Sequence, residues 1–263
     1  MRHPRKKHLF KMGYDSIIIL GYKRSGTSLL RVILNSHPEI AIGPEIKFMQ
    51  VASKRFPATF DEFMRISERD AKDFAYSRET LRKIYKGSKT SDDLLRNWCI
   101  EYRDSTGKRI WGDKTPQNFK YLRFLTKKFP DSLYVHIVRH PFDVMISSKK
   151  RKQYHGLHTI IAWFVSNWRV RFVNKKNFIF FKYEDFIKDP ASYINEILDR
   201  LGVQKIDLLS LYQQQDHGKI AEGDWWNKPI QVKPRDESIL SAKDKTFINL
   251  ICFPYLRKYG YLK

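Results

Sequence analysis

Cysteine and long apolar runs are both scarce in this sequence. Its two cysteines, Cys99 and Cys252, lie far apart and provide neither a disulfide framework nor a paired metal-binding motif. No apolar stretch approaches the ~20 residues that a membrane-spanning helix needs. The basic start, residues 1–11, leads into only a short apolar run, unlike a secretory signal. These absences predict a cytoplasmic protein in a reducing compartment, without a transmembrane segment.

Acidic side chains are also in short supply. The 263 residues contain 28 Asp and Glu against 50 Lys and Arg, for a formal net charge of +22. Such an excess predicts anionic partners, and nucleic acid, a membrane surface, a nucleotide and an acidic polysaccharide all stay open on charge alone. The hydrophobic fraction of 42% is too high for a disordered chain. We therefore expect one large domain over residues 1–263, with a flexible basic segment at 1–13.

Strand-like and helix-like segments alternate along the chain. Continuous apolar runs at 16–20, 133–138 and 178–181 are typical of buried parallel strands, and a short strand is expected at 40–42. Residues 46–107 are expected to be helical, without a clear boundary. The alternation predicts a three-layer α/β fold with a mainly parallel central sheet. Ligands of such folds bind at the carboxyl ends of the strands.

The stretch GYKRSGTSLLR, residues 21–31, is almost a phosphate-binding loop. It follows a predicted strand and has the glycine spacing of G-x-x-x-x-G-K-[ST], whose backbone N–H groups wrap phosphates. Thr27 stands where that motif has its lysine, and the cations come earlier, at Lys23 and Arg24. The strand at the centre of the chain ends in Arg139, not in the acid that helps to hold Mg²⁺. A ligand with two separate anionic groups therefore fits better than a Mg²⁺–triphosphate complex.

Four motifs, in order, resemble those of the sulfotransferases. YKRSGTS (22–28) resembles their 5′-phosphosulfate loop, and IVRHPFDVMISS (137–148) resembles their 3′-phosphate motif. GDKTPQN (112–118) is similar to the loop that brings a lysine to the transferred group, and FFKYEDF (180–186) to the segment near the adenine. The resemblance covers about residues 15–200. It implies a P-loop nucleotide-kinase-like sulfotransferase fold that uses 3′-phosphoadenosine 5′-phosphosulfate (PAPS), releases the bisphosphate product PAP and requires no metal.

The resemblance also implies roles for individual residues. Arg139 and Ser147 have the family spacing for gripping the 3′-phosphate, and Tyr183 lies in the segment near the adenine. Arg24 and Lys114 are expected to stabilise the transferred sulfuryl group, because preorganised cations stabilise charge that develops during bond breaking. The loop residues expected to bind the 5′ side of the cofactor are Lys23, Arg24, Ser25, Gly26, Thr27 and Ser28.

A neutral hydroxyl acceptor needs a general base, and the resemblance favours Glu45. Enzymes similar to the steroid and phenol sulfotransferases use a histidine after the Lys-Thr pair, but Pro116 and Gln117 stand there. Bacterial, carbohydrate and tyrosylprotein sulfotransferases use a glutamate just after the second strand, which corresponds to Glu45. The structural alternative for Glu45 is a helix first-turn position favoured by the helix dipole.

The C-terminal part departs from the family pattern. No tryptophan follows the phosphate loop to stack on adenine, and no Arg-Lys-Gly is present for the 3′-phosphate. The segment 219–234 is expected to substitute, with Lys228 closing on phosphate. Trp225 or Trp226 is expected to stack on the adenine, and core packing of this pair is equally compatible with the pattern.

The remaining histidines have structural or solvated roles in this interpretation. His136 alternates within a buried strand, and His140 precedes a proline at a helix start. His155 and His158 fall on a predicted loop, either solvated or near the acceptor. No His or Cys cluster has zinc spacing. Two other functions stay open: a P-loop kinase or NTPase, and a non-catalytic basic nucleic-acid-binding protein, for which the chain has no recognisable motif.

The distribution of charge bears on the acceptor. Between Asp143 and Glu184 the sequence has no acidic residue and nine Lys and Arg. Helix C-termini favour cations, which accounts for part of this excess but not for the loss of acids. Such a face suits an extended anion, and Tyr154, Trp163 and Trp168 offer surfaces for sugar rings, although core packing is expected for both tryptophans. We therefore predict an acidic glycan or glycoconjugate as acceptor; the oligomeric state stays open.

Overall fold

The computed structural model describes residues 13–214 and 235–262. In these ranges the strands are β1 (Ser16–Leu20), β2 (Ile40–Ile42), β3 (Ile110–Lys114), β4 (Leu133–Val138) and β5 (Phe178–Lys182). The α-helices there are α1 (Thr27–Asn35), α2 (Met49–Ala52), α3 (Phe60–Phe74), α4 (Arg78–Lys86), α5 (Ser91–Ser105), α6 (Leu122–Lys128), α7 (Pro141–Lys150), α8 (Leu157–Arg169), α9 (Tyr183–Phe186), α10 (Pro190–Leu201), α11 (Leu208–Gln214) and α12 (Ala242–Lys258). None of these helices is long and apolar enough to cross a bilayer.

The strands form one parallel sheet in the order β2-β3-β1-β4-β5. From the central strand β1 the chain first builds one side of the sheet, with β2 and β3, and then the other side, with β4 and β5. Such a reversal leaves a crevice at the carboxyl ends of the strands beside β1. The loops that follow β1, β3 and β4 therefore meet at one edge, and the expected three-layer α/β architecture is confirmed.

Both faces of the sheet are covered by helices. In β1, Ile17 and Ile19 pack into one apolar cluster with α1 and α10, and Ile18 and Leu20 pack into a second cluster with the helices between β2 and β3. All four side chains are at most 3% exposed. Burial on both faces explains why the strands are continuous apolar runs without polar alternation.

The strands expected at 16–20, 40–42 and 133–138 have the observed bounds. The strand expected at 178–181, which is β5, extends by one residue to Lys182. The region 46–107 is helical as expected but contains four separate helices, α2 to α5. Hydroxyl side chains start the longer ones, because each accepts a hydrogen bond from a backbone N–H of the first turn. These N-caps are Thr59 for α3, Ser77 for α4 and Thr90 for α5.

Two histidines lie in the interior as expected. The ring of His136 is buried in β4, with Nε2 3.1 Å from Asn167 Oδ1, and burial lowers its pKa to about 4. His140 caps α7, its Nδ1 accepting from the backbone N–H of Phe142 at 3.2 Å, and burial likewise lowers its pKa to about 4. Both rings are therefore neutral structural groups at pH 7.

Acid should destabilise the fold through His136. Its pKa is about 4 when folded and about 6.5 when unfolded, so the unfolded chain takes up the proton first as the pH falls. The stability present above about pH 6.5 is then lost progressively towards pH 4, by up to about 3 kcal/mol. We expect His136→Gln to flatten the dependence of unfolding free energy on pH by close to one proton, measured by urea unfolding. The exposed control His158→Gln should keep the wild-type slope; a wild-type slope in His136→Gln would contradict the assignment.

Candidate active site

The loop between β1 and α1 ends at a helix N-terminus that no side chain caps. Arg24 and Gly26 both have positive φ, +70° and +95°, so the loop curls tightly before α1. Gly26 occupies the N-cap position, no side chain caps the helix, and its first turn contains no acidic residue. The N–H groups of this turn, together with the helix dipole, are therefore available to bind an anion.

Glycine is required at position 26 by crowding as well as by conformation. A Cβ placed there would lie 2.4 Å from Cδ2 of Tyr183, the first residue of α9. The phenol ring thus lies directly against the loop. The guanidinium of Arg139, at the end of β4, lies 4.5 Å from the centre of the same ring. Residues from three predicted motifs are therefore in contact.

Two arginines and a serine form an arginine cluster beside the loop, defined by Arg24, Arg139 and Ser147. Arg24 donates from Nε to the Ser147 hydroxyl at 3.0 Å, and Arg139 donates from Nη1 to the Arg24 carbonyl at 3.3 Å. In the described chain neither arginine is paired with a carboxylate. Burial, followed by repulsion from Arg151 and Arg139, holds the pKa of Arg24 below its ordinary value. Cations held together in this way attract anions.

Two buried polar atoms at this site lack protein partners. Ser25 Oγ and Arg139 Nε are both inaccessible and form no hydrogen bond within the described residues. Buried polar groups are nearly always satisfied, and an exception calls for an explanation. An anionic ligand at the loop would supply partners for both.

The side chain of Lys23 forms its hydrogen bond outside the loop. Its ammonium donates to the backbone carbonyl of Gln153 at 2.7 Å, in the connection between α7 and α8. In this arrangement Lys23 ties the phosphate loop to that connection.

The second cluster contains Glu45 and Lys114. Lys114 ends β3 and its side chain is only 3% exposed. Its ammonium donates to Glu45 Oε1 at 2.7 Å and to the hydroxyl of Ser28, in the first turn of α1, at 3.1 Å. Glu45 follows β2 and retains a side-chain exposure of 27%, with Lys47 3.7 Å away. The carboxylate, the buried ammonium and the helix N-terminus therefore meet at the carboxyl edge of the sheet.

The charges of this pair stabilise each other. Burial raises the pKa of Glu45, but Lys114, and more weakly Lys47 and Arg31, favour the carboxylate, so that the net pKa lies below its usual value. Burial lowers the pKa of Lys114, and Glu45 partly offsets this. Glu45 is therefore ionised near neutral pH, as a proton acceptor must be. Its carboxylate forms an ion pair with the ammonium of Lys114.

A buried arginine that sequence reasoning did not select supports the glutamate. Arg31, in α1, is 5% exposed and donates from Nη1 to the carbonyl of Gly43 at 3.0 Å and of Ile42 at 3.4 Å. It thereby fixes the end of β2 and the residue that follows it, two to three residues before Glu45. Its position in the otherwise apolar run Leu29–Leu34 was the signal that could have identified it.

A hydroxyl and two polar side chains join the Glu45 and Lys114 segments. The Thr115 hydroxyl accepts from the backbone N–H of Ile46 at 2.8 Å and donates to Asp113 at 2.8 Å. Asn118 donates to the other oxygen of Asp113 at 2.7 Å. Burial raises the pKa of Asp113 to about 6. In the described residues Asp113 therefore holds Thr115 and Asn118, in the chain that follows Lys114, and forms no ion pair with the ammonium.

Some expectations fall outside this assembly. His155 and His158 are exposed. Lys228, Trp225 and Trp226 lie outside the described residues, as does most of the basic segment 1–13. Within the described ranges no group of three or more His, Cys, Asp and Glu side chains is arranged to hold a metal ion.

The sulfotransferase family model matches residues 16–207, which include both clusters. The chain therefore belongs to the sulfotransferase family, and the family and fold expected from the four motifs are confirmed. Over 162 residues, 60% of the chain, it is 26% identical to the nodulation protein NoeE of Sinorhizobium fredii. That match spans only 33% of the length of NoeE.

Solved structures have the same fold. The sulfotransferase domain from the Synechococcus PCC 7002 olefin synthase superposes with a TM-score of 0.66 at 20% identity, over 100% of both chains. Mouse sulfotransferase SULT7A1, complexed with PAP, superposes with a TM-score of 0.52 at 15% identity, over 92% of this chain and 85% of the mouse chain. At these identities the likeness concerns the fold.

Substituting Gly26 should abolish binding of PAP. In Gly26→Ala the new Cβ collides with Tyr183 and the backbone is strained at positive φ, so the phosphate loop cannot keep its shape. For the wild type, PAP at 100 times its dissociation constant should stabilise the fold by ~2.7 kcal/mol without Mg²⁺, and Gly26→Ala should lose this thermal shift.

Gly107→Ala is the matched control, because Gly107 also has positive φ (+66°) but a Cβ there meets nothing within 4 Å. Its PAP shift should equal that of the wild type. An intact shift in Gly26→Ala, or a larger shift with Mg-ATP than with PAP, would contradict the assigned loop.

Proposed function

We propose that this protein transfers the sulfuryl group of PAPS to a hydroxyl group of an acidic glycan or glycoconjugate. The observation that carries the proposal is the convergence of the arginine cluster and the Glu45–Lys114 pair on the N-terminus of α1. The first provides unpaired cations for the donor, and the second provides a proton acceptor beside a buried cation.

The residues at the loop fit the donor. Arg139 and Ser147 would hold the 3′-phosphate, and Arg139 Nε and Ser25 Oγ are hydrogen-bonding atoms that have no partner among residues 13–214 and 235–262. The 5′ side would lie on residues 23–28 at the helix N-terminus, and the phenol of Tyr183 would face the adenine. Lys228 is proposed to close on phosphate. Bound PAPS supplies an activated sulfuryl group, and we propose no metal.

The chemistry of the chain itself rests on charge and proton transfer. Arg24 and Lys114 present positive charge where negative charge develops, which stabilises the transition state without reorganisation. Glu45 accepts the proton of the acceptor hydroxyl. Because Lys114 accounts for much of the lowered pKa of Glu45, an anion that shares the ammonium with Glu45 makes the carboxylate a stronger base.

The proposed acceptor rests on the acid-free interval between Asp143 and Glu184. Two of its cations are paired with carboxylates in the described residues: Lys149 with Asp244 at 2.7 Å and Lys182 with Asp185 at 3.1 Å. The other cations in this interval are exposed or partly exposed: Lys150, Arg151, Lys152, Arg169, Arg171, Lys175 and Lys176. This surface supports an extended anionic acceptor.

Glu45→Gln should separate turnover from donor binding. The amide cannot accept the proton, so kcat should fall by about 10²–10⁴-fold, while the PAP thermal shift persists. Arg139→Ala should instead weaken PAP binding directly. Turnover is measured by mass spectrometry with labelled PAPS and the best acceptor from a panel of glycans and phenols.

Glu79→Gln is the control, because Glu79 is an exposed first-turn residue of α4 and its loss changes the net charge equally. It should leave kcat unchanged. Near-wild-type turnover in Glu45→Gln would exclude Glu45 as the base and direct attention to His155 and His158.

The acceptor class has its own test. If the acceptor is polyanionic, raising salt should increase its KM steeply, because attraction between exposed charges is screened and counterion release is less favourable. The KM of a neutral phenol in the same buffers should change little. A neutral small molecule as the best acceptor, with a KM independent of salt, would contradict the glycan proposal.

A further inference from the structure

A cavity of about 300 Å³ lies outside the donor site, between the chain that follows β3 and the end of α8. This volume is at the lower end of the range of about 300–1,000 Å³ that is typical of small-ligand pockets. It suits a short stretch of a glycan. We refer to it as the basic cavity. Its lining residues are Lys120, Tyr121, Arg123, Trp168, Arg169 and Phe172.

The cavity is cationic. Three of its lining residues, Lys120, Arg123 and Arg169, carry positive charge, and no acidic residue lines it. Lys120 donates to the amide of Gln50 at 3.0 Å, and Arg169 donates to the backbone carbonyl of Phe119 at 2.9 Å. In the part of the chain that the structure describes, none of these three cations is paired with a carboxylate. They are therefore available to an anionic ligand.

Aromatic rings lie among these cations. Trp168 was expected in the core, but it is 37% exposed, whereas Trp163 is fully buried. The Arg171 guanidinium lies 3.5 Å from the centre of the Trp168 ring, and that of Arg123 lies 4.3 Å from the centre of Phe172. An exposed indole beside guanidinium groups matches a ligand that has both an apolar face and a carboxylate or sulfate. An acidic sugar unit has both.

The wall of the cavity is continuous with the candidate active site. Lys120 lies in the 3₁₀ segment Pro116–Tyr121, which begins two residues after Lys114. Its ammonium donates to Gln50 in α2, the helix that begins four residues after Glu45. The neighbouring ring of Phe119 packs on Tyr22 of the phosphate loop, with centroids 6.2 Å apart. One acceptor glycan can thus contact both the basic cavity and the candidate active site.

We infer that the basic cavity is a second subsite for the acceptor glycan. It binds a carboxylated or sulfated sugar unit of the same glycan whose hydroxyl group reaches Glu45. The inference rests on the proposed function for the identity of that chain. The anionic group pairs with Arg123 and Lys120, and the ring packs on Trp168.

The test is titration calorimetry of the full chain with trigalacturonic acid as the probe, in the absence of PAPS. Arg123 is exposed, so Arg123→Gln should fold normally. We expect it to raise the dissociation constant about tenfold, as the loss of one charge-assisted hydrogen bond does. Trp168→Ala should weaken binding further by removing the ring. The neutral trisaccharide maltotriose should bind much more weakly to the wild type.

Arg78→Gln is the matched control, since Arg78 is an exposed arginine on α4 and its loss changes the net charge equally. It should bind the probe like the wild type. The inference is overturned if the probe does not bind, if Arg123→Gln binds it as tightly as Arg78→Gln, or if oligouridylate binds more tightly with the same dependence on Arg123. Because no donor is present, these outcomes are independent of the PAP shift and of turnover, which test the proposed function.

Discussion

The buried ammonium of Lys114 is the group on which the site depends. An ammonium with 3% exposure is costly to bury unless it is paired and hydrogen-bonded. Glu45 and Ser28 satisfy it at 2.7 and 3.1 Å. Because these partners follow β2 and begin α1, one buried charge joins the ends of two strands to the start of the helix that follows the phosphate loop. The position of the candidate base is therefore a consequence of how a single cation is satisfied.

The groups around this pair are polar where an apolar core would serve stability equally well. Arg31 is almost fully buried and forms its hydrogen bonds with backbone carbonyls before Glu45, and Asp113 is buried at the cost of a raised pKa. Well-packed apolar residues often replace buried charges without loss of stability. Both residues instead hold the two segments that carry Glu45 and Lys114. This arrangement is understandable if the orientation of that pair matters more than the stability of the fold.

The sequence predicted the parts of the molecule that depend on local pattern. Buried parallel strands are continuous apolar runs, and motifs directly after them must meet at one edge, where Arg24 and Arg139 are found. The bounds of α3 to α5 were missed, although the caps at Thr59 and Thr90 are local signals. The carbonyl contacts of Arg31 depend on tertiary packing. The exposure of Trp168 was predictable from the sequence. Trp168 is five residues from Trp163 on one helix, which is a rotation of about 140°, so the two rings cannot face the same core.

The excess positive charge is divided between structural and unpaired groups. Lys149 and Lys182 are paired with carboxylates, and such cations need no further explanation. Arg24 and Arg139 are held close together, and burial, followed by repulsion from Arg151 and Arg139, lowers the pKa of Arg24. Such repulsion disfavours the folded state until an anion binds, so part of the free energy of anion binding goes into relieving it. The same cations thus limit the stability of the free protein and increase the stabilisation that a ligand produces, since a ligand that binds only the folded chain stabilises it by mass action.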